Sequence, residues 1–189
     1  MNYPVVIGGS AGSFRIITKI VPVLNKGFDF PLILCMHRQR KNSENFLLAL
    51  RGNNNAPVLE PESGDAPLPG KIYVAPSNKH LIIQSGRFQL TDDPAVNFSR
   101  PSIDVTMSSL AGEYGKKLVG VLLTGANNDG AEGLETIHKA GGITIVQDPA
   151  DAEVSVMPLA AVNSFRPEHI LPAEKIITFI EKLTTPEHA

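Results

Sequence analysis

The chain alternates short apolar runs with stretches in which apolar residues recur every three or four positions. The runs at 3–8, 31–36, 56–60, 118–123, 143–147 and 168–171 carry few polar interruptions, as expected of parallel strands covered on both faces. Between them, one-sided patterns predict helices at 13–24, 43–51, 102–114, 130–140, 157–163 and 173–183. In the 102–114 segment the stripe is Ile103, Met107, Leu110, Ala111 and Tyr114, and Pro172 marks a helix start. Residues 61–100 break the alternation. A turn-rich segment, Glu62 to Gly70, leads into Ile72-Tyr73-Val74, and the runs 80–84 and 87–91 flank a Ser85-Gly86 turn signal. The expected fold is α/β: a doubly wound, mostly parallel sheet with an inserted antiparallel hairpin, in a Rossmann-like three-layer architecture. The stretch 92–101, poor in apolar residues, reads as an exposed loop.

At 189 residues the chain suits a single domain spanning 1–189, large enough to bury a sizeable core. Its formal net charge of -2 gives no global basic excess for nucleic acid. One cysteine, Cys35, excludes an intrachain disulfide framework and fits a reducing compartment. Its place inside an apolar run makes it a buried small hydrophobe rather than a thiol nucleophile. The first residues lack a basic region followed by an apolar helix and a cleavage site, so no leader peptide is expected, and no apolar run reaches membrane-spanning length. A cytoplasmic location follows as the expectation. No His, Cys or carboxylate cluster has metal-ligand spacing, so neither a metal nor another cofactor is expected.

Three apolar runs lead into residues used by hydrolases: 3–7 into Ser10, 32–36 into His37, and 118–123 into Asp129. In an open parallel sheet, ligands occupy the crevice outside the carboxyl ends of the strands, where three such residues can converge. Gly8-Gly9-Ser10-Ala11-Gly12 fits G-x-S-x-G, whose glycines allow a sharp strand-to-helix turn with the serine exposed. The following helix start offers free N–H groups and a positive dipole end for an oxyanion. The same turn fits an anion-binding loop or a plain tight turn, although neither the dinucleotide nor the P-loop glycine spacing is met. Among five histidines, His37 alone directly ends an apolar run; His80 lies beside the hairpin as a candidate rim residue. Asp129 precedes a helix, so a helix cap is its plain structural reading.

The arrangement resembles the catalytic domain of the CheB chemotaxis-receptor methylesterase family over nearly the whole chain. The matching stretches are Val6 to Gly12, Met36-His37, Gly70 to Pro76 with His80, Arg100-Pro101-Ser102-Ile103-Asp104-Val105, Leu123-Thr124-Gly125 through Asp129-Gly130, Gly141 to Asp148, and Met157-Pro158. The resemblance implies a serine hydrolase that demethylates glutamate methyl esters on chemoreceptors, releasing methanol, and that also deamidates selected glutamines. It maps the catalytic serine, histidine and aspartate onto Ser10, His37 and Asp129. Backbone N–H groups near Ala11, Gly12, Asn127 and Asn128 are the candidates for holding the oxyanion. Ala11, Ser13 and Ala126-Asn127 depart from the family's usual threonine, glycine and Met-Gly. The expected partners are methylated chemoreceptor cytoplasmic helices, and regulation by a separate receiver protein, since no receiver domain fits before Tyr3. Arg38, Arg40 and Lys41, just after His37, are candidates for docking acidic receptor helices. Two other classes remain open on the sequence: a non-catalytic anion- or nucleotide-binding signalling module, and a generic esterase of small esters.

Overall fold

The computed structural model describes residues 3–38, 43–52 and 54–184. In chain order the elements are β1 (Val5–Gly9), α1 (Phe14–Val23), β2 (Leu32–Met36), α2 (Ser43–Arg51), β3 (Val58–Leu59), β4 (Ile72–Val74), β5 (His80–Gln84) and β6 (Arg87–Thr91). They continue with α3 (Ile103–Tyr114), β7 (Val119–Leu122), α4 (Ala131–Lys139), β8 (Ile143–Gln147), α5 (Val156–Ser164), β9 (His169–Leu171) and α6 (Ala173–Thr184). Seven strands form one parallel sheet in the order β3-β4-β2-β1-β7-β8-β9.

Every residue of β1, β2, β4 and β7 is buried, which is why these strands read as unbroken apolar runs. Successive side chains point to opposite faces and feed two cores. Val5, Ile7, Leu32, Leu34 and Val121 pack with Ile17, Ile20, Leu50, Ile176 and Ile180 of α1, α2 and α6. Val6, Ile33, Cys35 and Leu122 meet Met107, Leu134 and Met157 of α3, α4 and α5. The three layers follow directly from this division.

The hairpin departs from expectation. β5 and β6 pair only with each other and form a separate two-stranded sheet, while Ile72–Val74 joins the parallel one. Leu81, Ile83 and Phe88 are buried, whereas Gln84 and Arg87 are exposed, so the hairpin has only one face to cover. It covers that face against α3: Ile83 N donates to Ser109 Oγ at 3.2 Å, and the Phe88 and Tyr73 rings meet at 4.9 Å.

Chain order reverses at β1, with β2 on one side and β7 on the other. The crevice of a doubly wound sheet opens at such a point. On one face that region is built by α3 and α4, which touch where Gly133 has no side chain. A Cβ at Gly133 would sit 2.9 Å from Asp104 Cα and 3.0 Å from Asp104 O, with backbone that cannot yield cheaply. We therefore expect Gly133→Ala to destabilise the fold by about 1–3 kcal/mol through overpacking. Thermal unfolding followed by circular dichroism should show a fall of several degrees; an unchanged midpoint would mean that the two helices separate freely.

Candidate active site

Ser10 follows the last residue of β1 and is fixed by its backbone. Its N donates to Thr124 O at 3.0 Å, and its carbonyl accepts from both Ser13 N at 3.1 Å and Ser13 Oγ at 2.5 Å. Ser13 is fully buried, and a Cβ on Gly9 would come within 2.7 Å of it, so Gly9 leaves the room that Ser13 fills. Gly12 adopts φ +83, and a Cβ there would strike Glu153. The turn thus requires glycine for both conformation and space. Among the described residues the Ser10 hydroxyl has no hydrogen-bond partner, and the N–H groups of Ala11 and Gly12 donate to no acceptor.

His37 is the first residue beyond β2. Gly9 and Met36 are register partners, and His37 N donates to Gly9 O at 3.2 Å, so Ser10 and His37 leave neighbouring strands side by side. His37 Nε2 is 2.7 Å from Asp129 Oδ2; with the proton on Nε2 it donates to the carboxylate and leaves Nδ1 as the basic nitrogen. That nitrogen faces Ser99 Oγ at 3.4 Å. The His37 side chain is 14% exposed and lines a cavity of about 310 Å³ with Arg38, Phe98, Ser99, Arg100 and Pro101.

Asp129 is fully buried, yet it does not cap the helix that follows it. The N-cap of α4 is Gly130, at φ +97. The Asp129 carboxylate instead accepts Ser102 Oγ at 2.8 Å, Ile103 N at 2.7 Å and Asp104 N at 3.1 Å, at the start of α3. Asp104 returns the arrangement: its Oδ1 accepts Gly130 N at 2.8 Å and Gly133 N at 2.7 Å, at the start of α4. Each helix is therefore capped by an aspartate from the other's entry. Burial pushes the Asp129 carboxyl up, but bonds from His37, Ile103, Ser102 and Asp104 outweigh it and hold the group below the usual 3.8. Asp104 is raised to about 6, first by burial and then by the neighbouring Asp129 charge, against the lowering effect of the two amides.

The remaining candidates divide. Ala11 and Gly12 stand beside Ser10. Asn127 Nδ2 lies 3.4 Å from Ser99 Oγ and 3.5 Å from Asn97 O, while Asn128 lines a different cavity with Asp104, Glu132 and Glu135. Arg38 corrects the docking expectation. Its side chain is 5% exposed, paired with Glu60, bonded to Ala75 O at 2.7 Å and laid 5.0 Å over the Phe46 ring. A guanidinium held inward in this way braces the turn after β2 and, although it lines the cavity beside His37, is not an exposed docking charge. Arg40 and Lys41 lie outside the described residues. His80 is also buried rather than on a rim: Nδ1 accepts Ser102 N at 3.1 Å, and Nε2 donates to Pro94 O at 3.1 Å.

Cys35 is fully buried beneath the site, its thiol pushed up to about 12 mainly by burial. Among the described residues no group of three or more His, Cys, Asp or Glu could hold a metal. Sequence reasoning assigned no role to Ser99, Ser102, Asp104 or Asn97. Ser102 alone carried a local signal, a serine directly before a helical stripe, and it is indeed the N-cap of α3.

The family model described as CheB methylesterase matches residues 5–180. A Leptospira interrogans relative, provisionally named protein-glutamate methylesterase/protein-glutamine glutaminase, is 38% identical and covers 97% of this chain and 96% of its own. The protein-glutamate methylesterase FrzG of Myxococcus xanthus is 35% identical over 92% of this chain, which spans 53% of that protein. The crystal structure of the Thermotoga maritima CheB methylesterase catalytic domain superposes with a TM-score of 0.89 at 31% identity, covering 97% of this chain and 99% of that one.

The exchanged aspartates generate a pH test. A carboxyl raised from 3.8 to about 6 stays protonated in the folded state while the unfolded chain has lost its proton. Its contribution to stability is thus fully present below the lower value and lost as pH rises between the two. Asp129, held low, has the opposite sign: its contribution is present above the ordinary carboxylate range and lost as pH falls. Asp104→Asn keeps a carbonyl oxygen for the α4 amides but cannot titrate. Urea unfolding from pH 4 to 6 should show the variant gaining on the parent as pH rises; parallel curves would remove the assignment.

Proposed function

The chain belongs to the CheB methylesterase family, a family of protein-glutamate methylesterases acting in chemotaxis, and from that premise we propose that Ser10, His37 and Asp129 carry out the hydrolysis. The observation behind this reading is the pair formed by His37 Nε2 and Asp129, which leaves Nδ1, with only Ser99 Oγ near it at 3.4 Å, as the basic nitrogen on the strand next to the one that ends at Ser10. The Ser10 hydroxyl turns toward Nδ1 and gives up its proton as its oxygen attacks the ester carbonyl of a glutamate side chain. Asp129 fixes the tautomer and stabilises the imidazolium. The amides of Ala11 and Gly12, with further help from the 126–128 segment, hold the oxyanion at the helix start. Collapse of this intermediate transfers the proton from Nδ1 to departing methoxide, which leaves as methanol. Water then attacks the acyl-enzyme by the same route, releasing the glutamate and restoring Ser10.

The substrate in this reading is a methylated chemoreceptor helix reached from the cytoplasm. Regulation by a separate receiver protein belongs to the same proposal. Among the described residues no helix is long and apolar enough to cross a membrane. The same acyl-enzyme would release ammonia from a glutamine, matching the second activity in the Leptospira relative's name. The binding-module alternative finds little free positive charge beside the Gly-rich turn. The crevice beside Gly12, about 390 Å³, contains Arg15 and Lys19, but each is paired with a carboxylate, Glu153 at 3.8 Å and Glu174 at 2.7 Å. Asp151 adds a further negative charge.

Methanol release from a methylated receptor fragment tests the nucleophile. Ser10→Ala should reduce turnover on the order of 10⁴–10⁶-fold while leaving the melting temperature near the parent's. Near-parental release by the folded variant would refute serine catalysis. Charge steering, with Arg38 turned inward, falls to Arg40 and Lys41. Replacing both with glutamine should lower receptor kcat/KM at low salt, and the deficit should shrink at high salt through screening. Unchanged turnover at low salt would remove that role.

A further inference from the structure

We propose that Phe98 is a docking residue that grips the receptor polypeptide carrying the scissile ester, an inference that rests on the protein-esterase reading above. Three observations carry it. Phe98 is the most exposed large apolar residue described, at 105%, although it lines the same cavity as His37. Its backbone is held at φ +60, directly after Asn97 at φ +50. Left-handed conformation is unfavourable for a bulky side chain, so the ring is presented at a cost to the fold and without packing in return.

The loop beneath it is heavily braced. Val96 and Ser99 bridge each other, Asn97 Nδ2 donates to Asp104 Oδ2 at 2.8 Å, and His80 holds Pro94 O. Arg100 spans to Asn78 Oδ1 at 2.8 Å and to the carbonyls of Asp92 and Asp93 at 2.9 and 3.0 Å. An aromatic ring held out on a rigid support loses little freedom on binding, as at the anchor residues of protein interfaces.

The size of the cavity beside the proposed base limits what can enter it. A space of about 310 Å³ admits one esterified side chain but not the polypeptide bearing it. That polypeptide must run across the rim, where Phe98 stands. On a helix, an apolar side chain three or four residues from the ester lies on the same face and can meet the ring. A small soluble ester would fill the cavity without needing Phe98.

The test separates docking from chemistry. In the Ser10→Ala background, binding of a fluorescently labelled, methylated receptor cytoplasmic fragment should weaken at least tenfold on adding Phe98→Ser. Phe98→Tyr should restore it to within about twofold. With Ser10 intact, the ratio of kcat/KM for that fragment to kcat/KM for a blocked glutamate γ-methyl ester should fall at least tenfold in Phe98→Ser, mainly through KM. Phe98→Gly, which relieves the backbone, should melt at or above the parental temperature, showing that the ring does not support the fold. Equal binding by the two Ser10→Ala proteins, or an unchanged ratio, would overturn the proposal. Failure of the parent to release methanol from the fragment, with the binding difference intact, would instead count against the esterase reading alone.

Discussion

The candidate site depends on an exchange between two helices. Asp129 leaves β7 and turns its carboxylate to the start of α3; Asp104 sits in the first turn of α3 and turns its own to the start of α4. Neither could be moved without uncapping a helix. The donors gathered there, with His37 itself, also set the charge state of the acid. A lone buried carboxylate would take up a proton, but four donors keep Asp129 ionised. Asp104 is the one with the raised value, first through burial and then through the neighbouring Asp129 charge. Asp129 therefore keeps the charge that an imidazole partner needs.

Around this pair, the sheet supplies position and the glycines supply proximity. Register between β1 and β2 sets Ser10 beside His37, and the bond from Ser10 N to Thr124 O ties the same turn to β7. Thr124 Oγ1 in turn lies 3.0 Å from the carbonyls of both Ala11 and Val154. Gly133 then lets α4 approach α3 closely enough for Asp104 to reach its amides. The three residues suggested by sequence thus rest on a shell whose members come from β7, β8's following loop, α3 and α4.

Much of this was legible in the chain. The buried strands announced themselves because a sheet covered on both faces tolerates few polar residues, and helix limits fell close to the periodic stripes. What was not legible depended on tertiary partners. The hairpin's alternation is the same whether it joins the main sheet or covers α3. Arg38 read as a docking residue for acidic receptor helices because its partners, Glu60 and Phe46, are distant or ambiguous in sequence. Asp129 as a cap for its own helix was the sound local inference. It failed because Gly130 takes that position with a left-handed turn and sends the aspartate elsewhere. Ser99 had no local signal at all, since nothing in a polar loop shows which hydroxyl will face a ring nitrogen.

The orientation of the imidazole has a mechanical consequence. Nε2, at the far tip of the ring, is fastened to the acid, so the nitrogen left for a nucleophile is the one nearest the backbone. A nitrogen close to the pivot sweeps through a smaller arc when the ring rocks. With the Asp129 bond fixing the ring's torsions, its placement then follows the backbone at the end of β2. In the proposed reaction the alignment of base and serine therefore rests on strand register, Gly9 against Met36, together with the ring orientation that Asp129 holds. A sheet buried on both faces resists slipping, because one residue of slip would exchange its two cores. In the proposed reaction, base and serine are thus carried by strands of the stiffest part of the molecule.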